Sequence, residues 1–201
     1  MSNILEEGLQ KIIAESDLKK LQNVRIGIAG LGGLGSNCAM LLARSGVRNF
    51  VLIDYDKVEA SNLNRQQYMP YDVGLPKTQA LSQRLMSLNP KLNLTLLNTR
   101  LTEENCQAIV QKAPYWLEAF DAPQAKALLV ENALLAKAFV VAASGVGGFG
   151  PPPLQTKSFN NLVVVGTFVE DSARQIMWAP KVTWAASMMC DILLNQILKN
   201  T

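Results

Sequence analysis

Apolar residues in the first segment recur at helical spacing. Ile4, Leu5, Leu9, Ile12, Ile13, Leu18 and Leu21 follow that rhythm, which predicts one or two amphipathic helices over 4–21. From Val24 the rhythm changes. A short β-prone run to Ala29 precedes a helical pattern over 36–45, packed by Ala39, Met40, Leu42 and Ala43. A second apolar run covers 49–53. Beyond it, strand patterns at 92–97, 114–117 and 138–143 alternate with helical patterns at 103–112 and 123–137, with Thr102 as an N-cap for the former. Such alternation predicts a mostly parallel sheet covered by helices on both faces. After Ala143 the texture shifts. The run 144–153 is rich in glycine and ends in three prolines, so it reads as a loop. A strand over 162–169 and a helix over 183–198 follow, with Pro180 just before the helix. The expected whole is a single α/β domain over 1–201: a helical extension (1–21), a core (24–145), and a C-terminal section (146–201) with mixed strands.

The first βα connection carries the strongest chemical signal. Gly30, Gly32, Gly33 and Gly35 stand between the first strand and the first core helix. Glycines allow a sharp turn and close approach of a phosphate, and a helix start offers free N–H groups and a positive dipole end. The second strand ends in Asp54, roughly 20 positions beyond the glycines, where a βαβ unit places a carboxylate for a ribose hydroxyl. A polar loop leaves that strand: Ser61, Asn62, Leu63, Asn64, Arg65, Gln66. Arginine there offers a planar charged fork to phosphate oxygens, or a surface salt bridge. Pro76 suits a first helical turn, which places Lys77 near a helix start. A cation there opposes the helix dipole and makes sense beside an anion, unless it simply faces solvent. Asp121 follows the short strand at 114–117. It suits either an Mg²⁺ ion shared with phosphates or a helix N-cap.

Composition narrows the chemistry. The chain carries 19 basic and 16 acidic residues, net +3, with no Lys/Arg run, so nucleic acid is not an expected partner. No stretch approaches the roughly 18 consecutive apolar residues of a membrane span, and residues 1–10 lack the pattern of a secretory signal. Histidine is absent, and Cys38, Cys106 and Cys190 stand singly. No Cys/His zinc set and no histidine base follow from such a sequence. A cytoplasmic setting fits. Cys38 and Cys190 read as packed, and Cys106 as part of a surface helix.

The glycine run, Asp54, Ser61–Gln66, Pro76–Lys77 and Asp121 together resemble the ThiF/MoeB/HesA activating-enzyme superfamily over roughly 24–145, closest to the compact ThiF-like branch (ThiF family two) tied to thiamine biosynthesis. The resemblance implies a Rossmann-like fold. It also implies Mg-ATP-dependent adenylation of the C-terminal glycine carboxylate of a small ubiquitin-like, ThiS-like sulfur carrier ending in Gly-Gly, with release of pyrophosphate. Gly30, Gly32, Gly33 and Gly35 would then hold the nucleotide and Asp54 the ribose. Asn62, Arg65 and Lys77 would hold the phosphates, and Asp121 the Mg²⁺. Arg65, Lys77 and Asp121 become the catalytic set, and a homodimer is expected. Zinc-binding Cys-x-x-Cys pairs and an N-terminal arginine, present in many larger members, have no counterpart; the first arginine is Arg25. The loop at 145–153 either shapes a channel for a carrier tail or is an ordered turn. Two other readings share the glycines: an NAD-dependent oxidoreductase, which leaves the Ser61–Gln66, Lys77 and Asp121 set unexplained, and a non-catalytic scaffold of the same fold.

Overall fold

The computed structural model describes residues 3–169 and 176–199; within the C-terminal section, 170–175 and 200–201 lie outside the described residues. Helices α1 (Ile4–Gln10) and α2 (Glu15–Asn23) lead into strand β1 (Arg25–Ala29) and helix α3 (Gly33–Arg44). Strand β2 (Asn49–Ile53), helix α4 (Lys77–Leu88), strand β3 (Asn93–Leu97) and helix α5 (Glu103–Val110) follow. Then come β4 (Tyr115–Glu118), α6 (Pro123–Leu135), β5 (Phe139–Ser144), β6 (Gln155–Phe159), β7 (Leu162–Gly166) and α7 (Ala179–Lys199).

One seven-stranded sheet has the order β3-β2-β1-β4-β5-β7-β6. Every pairing is parallel except β6 with β7. The chain runs outward from β1 through β2 to β3, then returns to place β4 on the other side of β1. That reversal opens a crevice at the C-terminal ends of β1 and β4, where ligands bind in open α/β sheets.

Alternation along each strand feeds two cores. Ile26, Ile28, Phe50, Leu52, Leu117 and Val141 face α3, α4 and α7. Ala29, Val51, Ile53, Trp116 and Val140 face α5 and α6. Trp116 is fully buried and donates its indole N–H toward Val110 O and Ala113 O, each at 3.0 Å. Its ring lies across Gly27, where a Cβ would sit 2.4 Å from it. The small residue on β1 thus admits the large one on β4.

Three expectations change. The strand β6 was not predicted: its five residues are all exposed, so no apolar alternation marks it, and its pairing with β7 alone places it. Helix α7 starts at Ala179, which puts Pro180 inside the first turn, where its missing N–H has no helical partner to lose. Cys106 is buried between α5 and α6, accepting no solvent; its helix is amphipathic, and the cysteine belongs to the inner face.

Candidate nucleotide site

The turn after β1 is dictated by the backbone around it. Gly30 adopts φ +88°, in the left-handed region that glycine favours, and a Cβ there would meet Ala119 O at 2.7 Å. At Gly35 a Cβ would lie 1.8 Å from Gly30 O. Gly33 meets Val182 at 2.9 Å. Gly32, the N-cap of α3, differs: its only neighbour is the Gln66 amide nitrogen at 3.7 Å, an ordinary contact. Three glycines are therefore required by the protein's own packing, and the fourth is not.

Asp54 ends β2 and is buried. Its carboxylate accepts the Leu31 N–H at 2.7 Å and the Asp56 N–H at 2.8 Å. Tyr68, itself buried, donates its hydroxyl to Leu31 O at 2.8 Å. Leu31 is thus held from both ends, which sets the turn. Burial, with the Asp54 and Asp72 carboxylates nearby, pushes the Tyr68 phenol far above its ordinary range, so it keeps its proton for that bond. Burial also raises the Asp54 carboxyl, partly offset by the Lys77 ammonium and the two backbone N–H groups.

Lys77 opens α4 and is buried rather than solvent-facing. Its ammonium lies 2.9 Å from Asp56 Oδ2 and 3.9 Å from Asp54 Oδ2. The anion its position calls for is thus supplied in part by the protein. Arg65 has no carboxylate partner among the described residues. Its guanidinium donates to Ser61 O at 2.9 Å and Asn64 Oδ1 at 2.7 Å, leaving further donors unused. Asn62 is buried, and its Oδ1 accepts the Glu59 N–H at 3.0 Å, closing the short turn at 60–62.

Side chains missed by sequence reasoning join this loop to α3. Asn37 donates to Gly33 O at 2.6 Å and to Arg65 O at 2.9 Å. Ser36 Oγ donates to Gly32 O at 2.7 Å and accepts the Gln67 N–H at 3.1 Å. Two polar residues just after a glycine turn are the signal that could have marked them. Asp121 is exposed at the tip after β4 and does not cap α6; the N-cap is Ala122. The tip is set by Glu118, which accepts the Phe120 N–H at 2.7 Å and pairs with Lys126 at 2.6 Å. The structure therefore gathers Asp54, Lys77, Asn62 and Arg65 around the glycine turn, and β4, pairing with β1, carries Asp121 to the same sheet edge.

Cys38 and Cys190 face one another between α3 and α7, both buried. The hydrogen bond from Cys190 and burial push the Cys38 thiol well above the ordinary range. Burial pushes Cys106 up to about 11. Neither is an activated nucleophile.

A model of the ThiF family matches residues 6–156. The chain belongs to the ThiF family. Among ThiF-family proteins, it is similar to the sulfur carrier protein ThiS adenylyltransferase of Escherichia coli (strain K12), 43% identical over 110 residues, which is 54% of this chain and 44% of that protein. It is also similar to the tRNA threonylcarbamoyladenosine dehydratase of the same organism, 32% identical over 143 residues, 70% of this chain and 53% of that one. The crystal structure of E. coli tRNA N6-threonylcarbamoyladenosine dehydratase with AMP superposes with TM-score 0.87 at 21% identity, covering 96% of this chain and 93% of that one. That likeness is one of fold. The chain spans about half of the length of these two curated relatives. Among the described residues no helix is long and apolar enough to cross a membrane.

Proposed function

We propose that this chain is an Mg-ATP-dependent adenylyltransferase acting on the C-terminal glycine carboxylate of a small ubiquitin-like sulfur carrier. The observation that carries the reading is Arg65: its stem crosses the α3 N-terminus, with Cγ and Cδ 3.5 and 3.6 Å from the Cβ position of Gly33, and its guanidinium has no carboxylate partner among the described residues. A fixed cation beside free helix N–H groups is an anion site. Gly32, which the protein's own packing does not require, keeps that site open to a phosphate chain. The similarity to the ThiS adenylyltransferase supports the acceptor.

In this reading a carrier carboxylate oxygen attacks the α-phosphorus, the bond to the bridging oxygen breaks, and pyrophosphate leaves. The carboxylate is already ionised at neutral pH, so no histidine is needed. Arg65 and Lys77 neutralise and align the phosphates. Asp54 holds the ribose, Asn62 supports the phosphate loop, and the glycine turn seats the nucleotide. Asp121 has no hydrogen bond or ion pair among the described residues, and a lone carboxylate beside phosphates fits the way Mg²⁺ is bound. The ion would supply charge neutralisation on the leaving pyrophosphate. The buried thiols favour adenylation without a covalent cysteine step, and a homodimer working in the cytoplasm completes the proposal. A modified tRNA is the second acceptor reading, favoured by the similarity to the tRNA dehydratase over 70% of this chain.

Thermal unfolding with Mg-ATP, with NAD and with neither tests the nucleotide. A ligand at about 100 times its Kd adds about 2.7 kcal/mol, a shift of several degrees for a chain of this size. Mg-ATP alone is expected to shift wild type, and Asp121→Ala to shift less. A shift with NAD instead overturns the proposal. Pyrophosphate exchange that depends on a Gly-Gly carrier then separates an enzyme from a scaffold.

A further inference from the structure

Gln66 is 8% exposed, and its Oε1 is the one buried side-chain polar atom without a partner among the described residues. Its Nε2 has no protein partner among them either, and lies 3.7 Å from the Cβ position of Gly32, the N-cap of α3. The backbone around it is firmly held. Gln66 N–H donates to Asn62 O at 3.0 Å. On one side the Arg65 carbonyl is bound by Asn37; on the other the Gln67 N–H is bound by Ser36, and the Gln67 amide donates to Asn37 Oδ1 at 2.7 Å. The orphaned amide is thus not a loose surface group. Its backbone is held beside the glycine turn, its Oε1 is buried without a partner, and its Nε2 makes no hydrogen bond to a described residue.

A buried acceptor without a partner is destabilising, and an apolar side chain of the same shape would remove that penalty. What glutamine offers and leucine does not is a pair of N–H donors. Those donors lie against Gly32, where the first backbone N–H groups of α3 also lack helical partners. Arg65, the preceding residue, covers the next glycine, Gly33. Consecutive residues therefore set the stem of a cationic side chain and a neutral amide over consecutive positions of one helix N-terminus.

We propose that Gln66 is a direct phosphate ligand: its Nε2 donates to a phosphate oxygen of the bound nucleotide at the N-terminus of α3. The inference rests on the nucleotide reading above and deepens it. The amide is kept there at the expense of an unpartnered Oε1, and what the site gains is an Nε2 that no described residue occupies. Neutral donors there add hydrogen bonds without adding charge. Arg65 and Lys77 supply the charge.

The test compares wild type, Gln66→Leu and Gln66→Met, each titrated with Mg-ATP and with adenosine by calorimetry, and each melted without nucleotide. Both variants are expected to melt at or above the wild-type temperature when empty. They are expected to bind Mg-ATP at least tenfold more weakly and adenosine as tightly as wild type. Lower melting of both empty variants would make Gln66 structural and overturn the proposal, as would wild-type affinity for Mg-ATP in either. Failure of wild type itself to bind Mg-ATP would overturn the nucleotide reading, and this inference with it.

Discussion

Two lysine–carboxylate groups sit at the C-terminal ends of the strands on either side of β1, and they are built differently. After β4, Glu118 is 1% exposed and pairs with Lys126 at 2.6 Å, while Lys126 also donates to Ala143 O at 3.0 Å. Both Glu118 oxygens are taken, one by Lys126 and one by the Phe120 N–H. After β2, one ammonium, Lys77, faces two carboxylates, Asp56 and Asp54. Asp56 keeps 44% of its side chain exposed. Lys126 cannot leave without stranding a buried charge. Lys77 can leave Asp56 to water at less cost, which suits the phosphate role proposed for it. A closed pair holds the fold, whereas the uneven, half-wet cluster is the one the proposed function puts to use.

The largest effect is expected at the closed pair. Lys126→Met removes one partner of a buried ion pair and should cost about 3–5 kcal/mol in urea unfolding, with Lys126→Arg recovering most of it. If Lys126→Met unfolds like wild type, the distinction between the two groups collapses. Lys77→Met leaves two carboxylates without their cation, but water reaches Asp56, so a loss of about 1–2 kcal/mol is expected, near the typical point substitution. Its nucleotide-dependent thermal shift should disappear, whereas Lys126→Arg should keep it.

The smallest effect is expected at Asp54. Burial raises its carboxyl above the ordinary 3.8, against the pull of Lys77. Between 3.8 and the raised value the folded chain keeps a proton that the unfolded chain has released. Stability therefore falls as pH rises through that window and returns as pH falls. Asp54→Asn lacks this titration. At pH 7 the empty variant should be as stable as wild type or more so, and wild type should gain on it as pH is lowered toward 3.8. A wild type that loses ground on acidification relative to the variant would mean that hydrogen bonds to Leu31 and Asp56 outweigh burial at this carboxylate.

Much of this was readable in the chain. Strand β2 matched its apolar run, and the other predicted core strands and helices fell within a few residues of expectation, because their inner faces are marked by period; of α4 only the start was expected. Strand β6 was not readable: Gln155–Phe159 has no apolar face, and an edge strand is defined by its partner. At the site, Gly30, Gly35 and Asp54 were legible because tight turns and strand-end carboxylates follow local rules. Lys77 was visible as a cation out of place at a helix start. Gln66, Asn37, Tyr68 and the Glu118–Lys126 pair were not, since an amide or phenol carries no sign of what lies across from it.

The sequence alone determined the order of the strands and helices other than β6, the glycine turn, the charged residues that follow it, and the lack of any histidine. These are local: propensity, periodicity and backbone sterics act over a few residues. Only the tertiary structure decided that β4 returns beside β1, that Gly35 must leave room for Gly30 O, that Lys77 is shared by two carboxylates, and that Gln66 Oε1 is buried without a partner among the described residues. Those facts depend on contacts between segments distant in the chain, where desolvation and close packing set the outcome and no local pattern records it.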